Sequence, residues 1–351
     1  MNNINFSLLE TVRLLRQKTQ KEVAEAVGIS QSSLSKAEHG LQELPRDIME
    51  KLCKYYDFPE TFFMRSEGIS PLGHLYYRKK LTVTNKIIDS FVAKVKIFKA
   101  IIDELMSAVE LPEYTLGNYI PNENLSAKEI ARNIRYKLKV FNGAVPNLST
   151  LLENNGVIII RFDFGTDGLT TITDSDKKVM FINNQMPNDR IRFSMAHELG
   201  HLVMHLENPP CSSDDAERQA DEFASEFLMP EEEIFPMLQN LNVQILGILK
   251  RKWRVSMHAL VRRARDLDAI TYQQYRNLQI YFSKKGYSRI EPIPLPVEHP
   301  TMWEETLNLY RNELGYTDED LMSVMRINKA DFINWFVCKP KVIPMNIFRM
   351  K

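Results

Sequence analysis

The stretch His197-Glu198-Leu199-Gly200-His201 holds the residues of this chain best suited to chemistry. In a helix, positions four apart lie one above the other on one face, so His197 and His201 can aim two imidazoles at one ion. Glu198 stands about 100° round the helix at ~3.6 residues per turn. That is a poor position for a third ligand, but it can reach a water held on the ion. Two neutral imidazoles suit Zn²⁺, which favours tetrahedral nitrogen and oxygen donors. A zinc-bound water has its pKa drawn toward neutrality, and a carboxylate beside it can take the proton and pass it to a leaving amine. A catalytic zinc takes a third protein ligand and keeps one position open. Sixteen residues beyond His201 comes Glu217, which can complete the metal set. Asp221, one turn further along the same stretch, can accept the N–H of a liganding histidine and fix its tautomer. Read without a metal, the same stretch is a solvated acidic face, since Asp214, Asp215, Glu222 and Glu226 are acidic as well. His205 falls one turn beyond the pair and reads as outer support or packing. His258 is placed by no spacing.

These residues need two helices and a support. The apolar pattern predicts a helix from about Asp189 to Leu206 and another from about Asp214 to Leu228, broken by Met229-Pro230. Before them come helices around Ile130–Leu138 and Leu148–Leu152. Three strand-like runs follow, Val157–Phe162, Leu169–Thr173 and Val179–Asn183, separated by Gly- and Asp-bearing turns. The run Lys178–Asn183 is read as a sheet edge beside the site, where an extended peptide can add and lie over the metal. Two further helices, near Gln244–Lys252 and Met257–Leu267, flank the turn Arg254-Val255-Ser256. Upstream, Ile87, Phe91, Val95, Phe98, Ile102 and Leu105 mark a long amphipathic helix, ended by Leu111-Pro112. Tyr76-Tyr77-Arg78-Lys79-Lys80 is a short basic-aromatic cluster that can add contacts to a nucleic-acid backbone.

The N-terminal stretch has a different rhythm. Thr19 with Glu22 makes a capping box. Gly28 suits the left-handed stop of that helix, and Ser30 caps the next, which Gly40 ends. The result is helix, three-residue turn, helix. In such a corner the second helix enters the major groove. Gln31 can pair with adenine, Ser32, Ser35 and Lys36 can touch bases or phosphates, and Gln20 can hold a phosphate. Yet residues 1 to 65 carry nine basic and nine acidic side chains, and phosphate contacts dominate affinity. Weak binding as a monomer, a homodimer, and docking onto another helix-turn-helix protein all fit that balance.

The bulk numbers exclude several classes. The 351 residues allow two or three domains, and 44% hydrophobic with 26% charged residues is globular rather than disordered. Formal net charge is zero, so no global field draws the chain to nucleic acid. Cys53, Cys211 and Cys338 are scattered and odd in number, which argues for a reducing compartment. There is no signal pattern and no run near the ~18 apolar residues of a membrane span, so a cytoplasmic location without membrane contact is expected. Pro292, Pro294 and Pro296 mark an extended linker before a helical tail. No internal repeat is legible.

The middle of the chain resembles the ImmA/IrrE family of metallopeptidases. The resemblance rests on Arg192-Phe193 leading into Ala196-His197-Glu198-Leu199-Gly200-His201, on Glu217 with Ala220-Asp221-Glu222-Phe223-Ala224, and on Phe227-Leu228-Met229-Pro230. Trp253-Arg254-Val255-Ser256 with Ala259-Leu260 and Arg263 also fits. It spans roughly residues 125 to 290. It implies Glu217 as the third zinc ligand; where the family often has Asn, this chain has Asp221. Residues 5 to 65 are similar to the XRE/Cro-type helix-turn-helix through Lys21 to Gly40. The resemblance implies a narrow protease that cuts a transcriptional repressor, often of the XRE class, and derepresses phage, mobile-element or stress genes.

The expected fold is multidomain and mainly α. Residues 1–66 form an all-α helix-turn-helix and 67–120 a helical connector. Residues 121–285 form an α+β zincin-like domain with a small three-stranded sheet, and 286–351 a helical C-terminal region. Two functions remain in play: a zinc endopeptidase coupled to DNA binding through residues 1–66, and a non-catalytic regulator whose zinc is structural or sensory. An intact Glu198 favours the first, because a structural site needs no general base.

Overall fold

The structure is a computed structural model that describes residues 4–65, 85–162, 167–210 and 212–337. The Tyr76–Lys80 cluster, Cys211 and Cys338 lie outside the described residues. The chain divides into two compact units, one of residues up to 68 together with those from 315 onward, the other of residues 69–314.

The first unit opens with α1 (Leu8–Leu15), α2 (Gln20–Val27), α3 (Gln31–Glu38), α4 (Arg46–Tyr56) and the short α5 (Glu60–Phe63). Thr19 and Glu22 cap α2 reciprocally, Gly28 ends it in the left-handed region, and the Ser30 hydroxyl accepts from the Ser33 amide to start α3. The apolar faces of these helices meet: Leu9, Val12, Val23, Leu34, Met49, Leu52, Phe62 and Phe63 are fully buried. Half-buried Cys53 is the free cysteine here; burial, with Glu60 nearby, pushes its thiol up to about 11, so it is no reactive thiolate.

In the second unit, α6 (Asn85–Met106) ends at Met106, several residues before Leu111-Pro112; Ser107 already bonds back to Glu104. Then come α7 (Ala127–Lys137), α8 (Leu148–Glu153), β1 (Val157–Phe162), β2 (Gly168–Ile172) and β3 (Lys178–Asn183). Two long helices follow, α9 (Asn188–Met204) and α10 (Ser213–Leu228). The unit continues through α11 (Glu231–Ile234), α12 (Val243–Trp253), α13 (Met257–Asp266), α14 (Tyr272–Lys285) and α15 (Met302–Asn312). The sheet is mixed, ordered β1-β3-β2, with β1 parallel and β2 antiparallel to β3.

The sheet order overturns one expectation. The strand Lys178–Asn183 is not an edge but the centre of the sheet, paired on both sides. Its residues are buried throughout, as a strand covered on both faces demands. Among the described residues, the strand beside α9 that pairs with a single neighbour is β2. One contiguous core joins Ile159 and Met180 of the sheet to Met195 and Leu199 of α9, Phe223 and Phe227 of α10, and Trp253 and Leu260 beyond.

The chain returns to the first unit with α16 (Asp318–Met325) and α17 (Lys329–Phe332), which runs on into a π-helical turn at Ile333–Val337. The molecule is therefore mainly α, with an N-terminal helix-turn-helix, a three-stranded mixed sheet and a helical C-terminal region.

Candidate metal centre

The site is built where α9 and α10 cross, and Gly200 sets how close they come. A Cβ at Gly200 would lie 3.2 Å from the Ala220 Cα and from a Phe223 ring carbon, so only the missing side chain lets the backbones approach this far. That approach brings Glu217 over the paired histidines. The Nε2 atoms of His197 and His201 are 3.1 Å apart. Glu217 Oε2 lies 3.4 Å from His197 Nε2, and its Oε1 lies 3.4 Å from His201 Nε2. A zinc with bonds of ~2.0–2.1 Å to tetrahedral donors holds neighbouring ligand atoms about 3.3 Å apart. The two imidazoles and the carboxylate thus approach one another at about such edge lengths, each histidine through a different Glu217 oxygen, and one donor atom from each residue falls within 4.8 Å of the others, so the residues present fit the ion.

The ring nitrogens that face away from this point are held as well. His197 Nδ1 is 2.9 Å from Asp221 Oδ1, so an Nδ1–H donates to the carboxylate and leaves the Nε2 lone pair for a metal. His201 Nδ1 is 3.0 Å from His205 Nδ1, and His205 Nε2 is 2.8 Å from Gln219 Oε1. If His201 presents its Nε2 lone pair, one tautomer chain satisfies every atom: His201 Nδ1–H donates to His205, and His205 Nε2–H donates to the Gln219 carbonyl. His205 is fully buried and orients a neighbour. Burial holds the His201 imidazole down to about 4, so it is neutral, as a ligand must be. Burial alone would raise the Glu217 carboxyl. The contacts of its oxygens with the paired imidazoles of His197 and His201 outweigh it and hold the group well below the usual carboxylate range.

Glu198 is buried and faces the edge strand. The Thr170 hydroxyl donates to Glu198 Oε2 at 2.8 Å, and a Cβ at Gly168 would stand 2.7 Å from Glu198 Oε1. Positions 168 and 170 share one face of β2, so the strand both makes room for the carboxylate and orients it. A small recess lined by Asp167, Gly168, Phe193, Ser194, His197 and Glu198 marks the spot. It shares Asp167, Phe193 and Ser194 with a cavity of ≈ 1180 Å³, large enough for a peptide segment.

His258, which no spacing places, lines this cavity. Its Nδ1 is 2.7 Å from Glu291 Oε1, and its ring lies 4.6 Å from that of Phe282. Glu291 also accepts from Lys250 Nζ at 2.8 Å and from the amides of Met257 and His258. Burial would raise this carboxyl, but these bonds bring it down to about 2. Sequence reading had no signal for the pair, since 33 residues separate them. Thr170 and Gly168 carried a faint one, a small and a hydroxyl residue two apart in a strand.

In the N-terminal module, Gln31, Ser32 and Lys36 are exposed on α3, and Ser35 is half-buried beside them. The Gln20 amide donates to Glu38 Oε2 at 2.7 Å, where Arg13 Nε also binds Glu38 at 2.6 Å, so Gln20 is anchored to α3 rather than loose.

The fold and site define a metallopeptidase-like domain behind a DNA-binding helix-turn-helix. Comparison with known families gives the particular match: residues 152–265 match the IrrE N-terminal-like domain, and residues 9–63 match a helix-turn-helix family. A comparison with curated proteins returned no match. The chain thus joins an ImmA/IrrE-like domain, of a family typically metal-dependent, to an XRE-type helix-turn-helix that supports DNA binding. Among the described residues, no helix is long and apolar enough to cross a membrane.

Proposed function

We propose that the chain is a zinc-dependent endopeptidase that works in the cytoplasm, guided by its DNA-binding module to a transcriptional repressor, which it cleaves. The observation that carries this reading is the convergence of His197, His201 and Glu217, with one ligand atom from each within 4.8 Å of the others, beside a buried carboxylate that is not one of them. His197, His201 and Glu217 would hold the ion, and Asp221 and His205 would keep the two imidazoles in the right tautomer. A bound zinc would supply Lewis acidity, activating a water and polarising the scissile carbonyl.

The remaining steps belong to the protein. The substrate strand lies along the side of β2 that faces away from β3, by backbone hydrogen bonds. Glu198, oriented by Thr170, takes the proton of the attacking water and delivers it to the departing amine nitrogen. His258, its Nδ1 held by Glu291, offers Nε2 to the substrate in the cavity. In the DNA-binding module, Gln31, Ser32, Ser35 and Lys36 meet bases and phosphates, with Gln20 near the backbone.

The test is co-expression with repressors encoded beside the chain in its own genome. Wild type should cleave one of them and carry about one zinc per chain. Glu198→Gln should keep the zinc and lose cleavage. Retained cleavage in that variant refutes the role of Glu198, and absence of bound zinc from the wild-type protein refutes the metal site.

A further inference from the structure

The helix-turn-helix corner of the N-terminal module occurs a second time in the same unit, in a segment neither family match covers. In the first corner a capping box at Thr19 and Glu22 starts an eight-residue helix, Gly28 turns left-handed (φ 80°), and Ser30 caps α3 by accepting from the Ser33 amide. In the second, a capping box at Thr317 and Asp320 starts an eight-residue helix, Arg326 turns left-handed (φ 57°), and Asn328 caps α17 by accepting from the Asp331 amide. The buried apolar positions fall in the same register: Val23 and Leu321, Val27 and Met325, Leu34 and Phe332. The amino acids differ at nearly every position, so the repeat is one of geometry and capping, which the sequence does not display.

The second corner uses its reading end differently. A DNA-reading helix needs a free N-terminal turn, because that turn meets the base edges. Here Asn328 and the buried Asp331 of that turn are engaged by the first module, while Lys329 and Ala330 stay exposed. Arg16, which caps the C-terminus of α1, grips Asp331 with both terminal nitrogens, at 2.9 and 2.6 Å, and donates through Nε to the Tyr56 carbonyl at 2.7 Å. The Asn328 amide donates to the carbonyl of Asp57, which Arg16 also reaches at 3.1 Å. The last carbonyls of α4, which have no partner within their helix, are thus satisfied by this contact. Arg65 does the same for the Met325 carbonyl at the end of α16, at 3.3 Å. Charge points the same way. Where the first corner has Gln20-Lys21-Glu22 at its phosphate-facing start, the second has Asp318-Glu319-Asp320, which a phosphate backbone repels.

We propose that residues 317–337 are a second helix-turn-helix that serves as a protein-docking partner for the first in the same chain and does not read DNA. The receptor is the end of α1 and α4, formed by Arg16 and the carbonyls of Tyr56 and Asp57. The exposed face of α3 with Gln31, Ser32 and Lys36 is not part of that contact, so the unit keeps one reading helix. This goes beyond the peptidase reading and does not depend on it; only the DNA arm below relies on the first corner binding DNA.

Hydrogen exchange of the full chain tests the docking. Asp331→Arg sets two cations against each other, and amides of 317–337 should exchange about tenfold faster or more, since breaking a buried charge pair on one side is costly. The swapped pair Arg16→Asp with Asp331→Arg should restore slow exchange, which separates lost docking from general unfolding. Equal exchange in wild type and Asp331→Arg overturns the docking. For DNA, Lys329→Ala should leave both affinity and salt dependence unchanged. A fall of about one in the salt slope with that variant, as expected for a phosphate contact, overturns the claim that the second corner does not read.

Discussion

Thr170 and Glu291 each act through a neighbour, and each makes a testable case. Thr170 donates to the Glu198 carboxylate from the edge strand. Thr170→Val keeps the shape and removes the donor, leaving a buried carboxylate oxygen short of a partner. Cleavage should slow about 10- to 100-fold, the usual cost of losing an outer hydrogen bond at such a site, while bound metal, read by atomic spectroscopy, stays the same. Metal loss in parallel would show that Thr170 supports the fold rather than Glu198. Glu291 is a matter of stability. Its carboxyl sits near 2 when folded and near 4.5 when not. A depressed carboxylate stabilises the fold above its unfolded value, and that contribution fades as pH falls from about 4.5 toward 2. Urea unfolding of wild type should therefore weaken over this acid range. Glu291→Gln should cost on the order of 2–3 kcal/mol at neutral pH and flatten the acid decline.

At the level of elements, the centre depends on how closely α9 and α10 pack. Gly200→Ala forces a Cβ to within 3.2 Å of the Ala220 backbone, which has no rotamer by which to yield. The helices must separate by a few tenths of an ångström, at about 1–3 kcal/mol. Glu217 then moves away from the histidine pair, so zinc affinity should fall in competition with a chelator while DNA binding holds. Unchanged affinity would mean that Glu217 follows the histidines by side-chain motion alone. The same element logic corrects the sheet. Lys178–Asn183 looked like an edge because it precedes the metal helix in the chain, but a strand apolar on both faces belongs in the middle, and the edge fell to the shorter, Thr-bearing β2.

For the whole molecule, the charges set what the DNA-binding module can do. Net charge is zero over the chain, so under the proposed reading attraction to DNA would come from a few side chains on α3 rather than from a global field. Lys36→Ala should weaken binding across sequences and lower the slope of log affinity against log salt by about one. Fluorescence anisotropy at several salt concentrations checks this, and an unchanged slope would remove Lys36 from the backbone contacts. The left-handed turn between helix and cap appears at Gly28, Arg254 and Arg326. Glycine makes it easy to see in a sequence; arginine hides it, and so the C-terminal corner reads only as a helical tail.

The sequence alone determined what depends on neighbours in the chain. Helix periodicity aims His197 and His201 the same way, a capping box starts a helix at Thr19, and apolar runs make three strands. Each follows from backbone geometry within a turn or two. Strand order, the approach of Glu217 that Gly200 permits, the Glu291 clamp on His258 and the docking of Asp331 on Arg16 were decided by the tertiary structure. They join residues tens to hundreds of positions apart, and only packing of complementary surfaces, with no local period to announce it, selects such contacts.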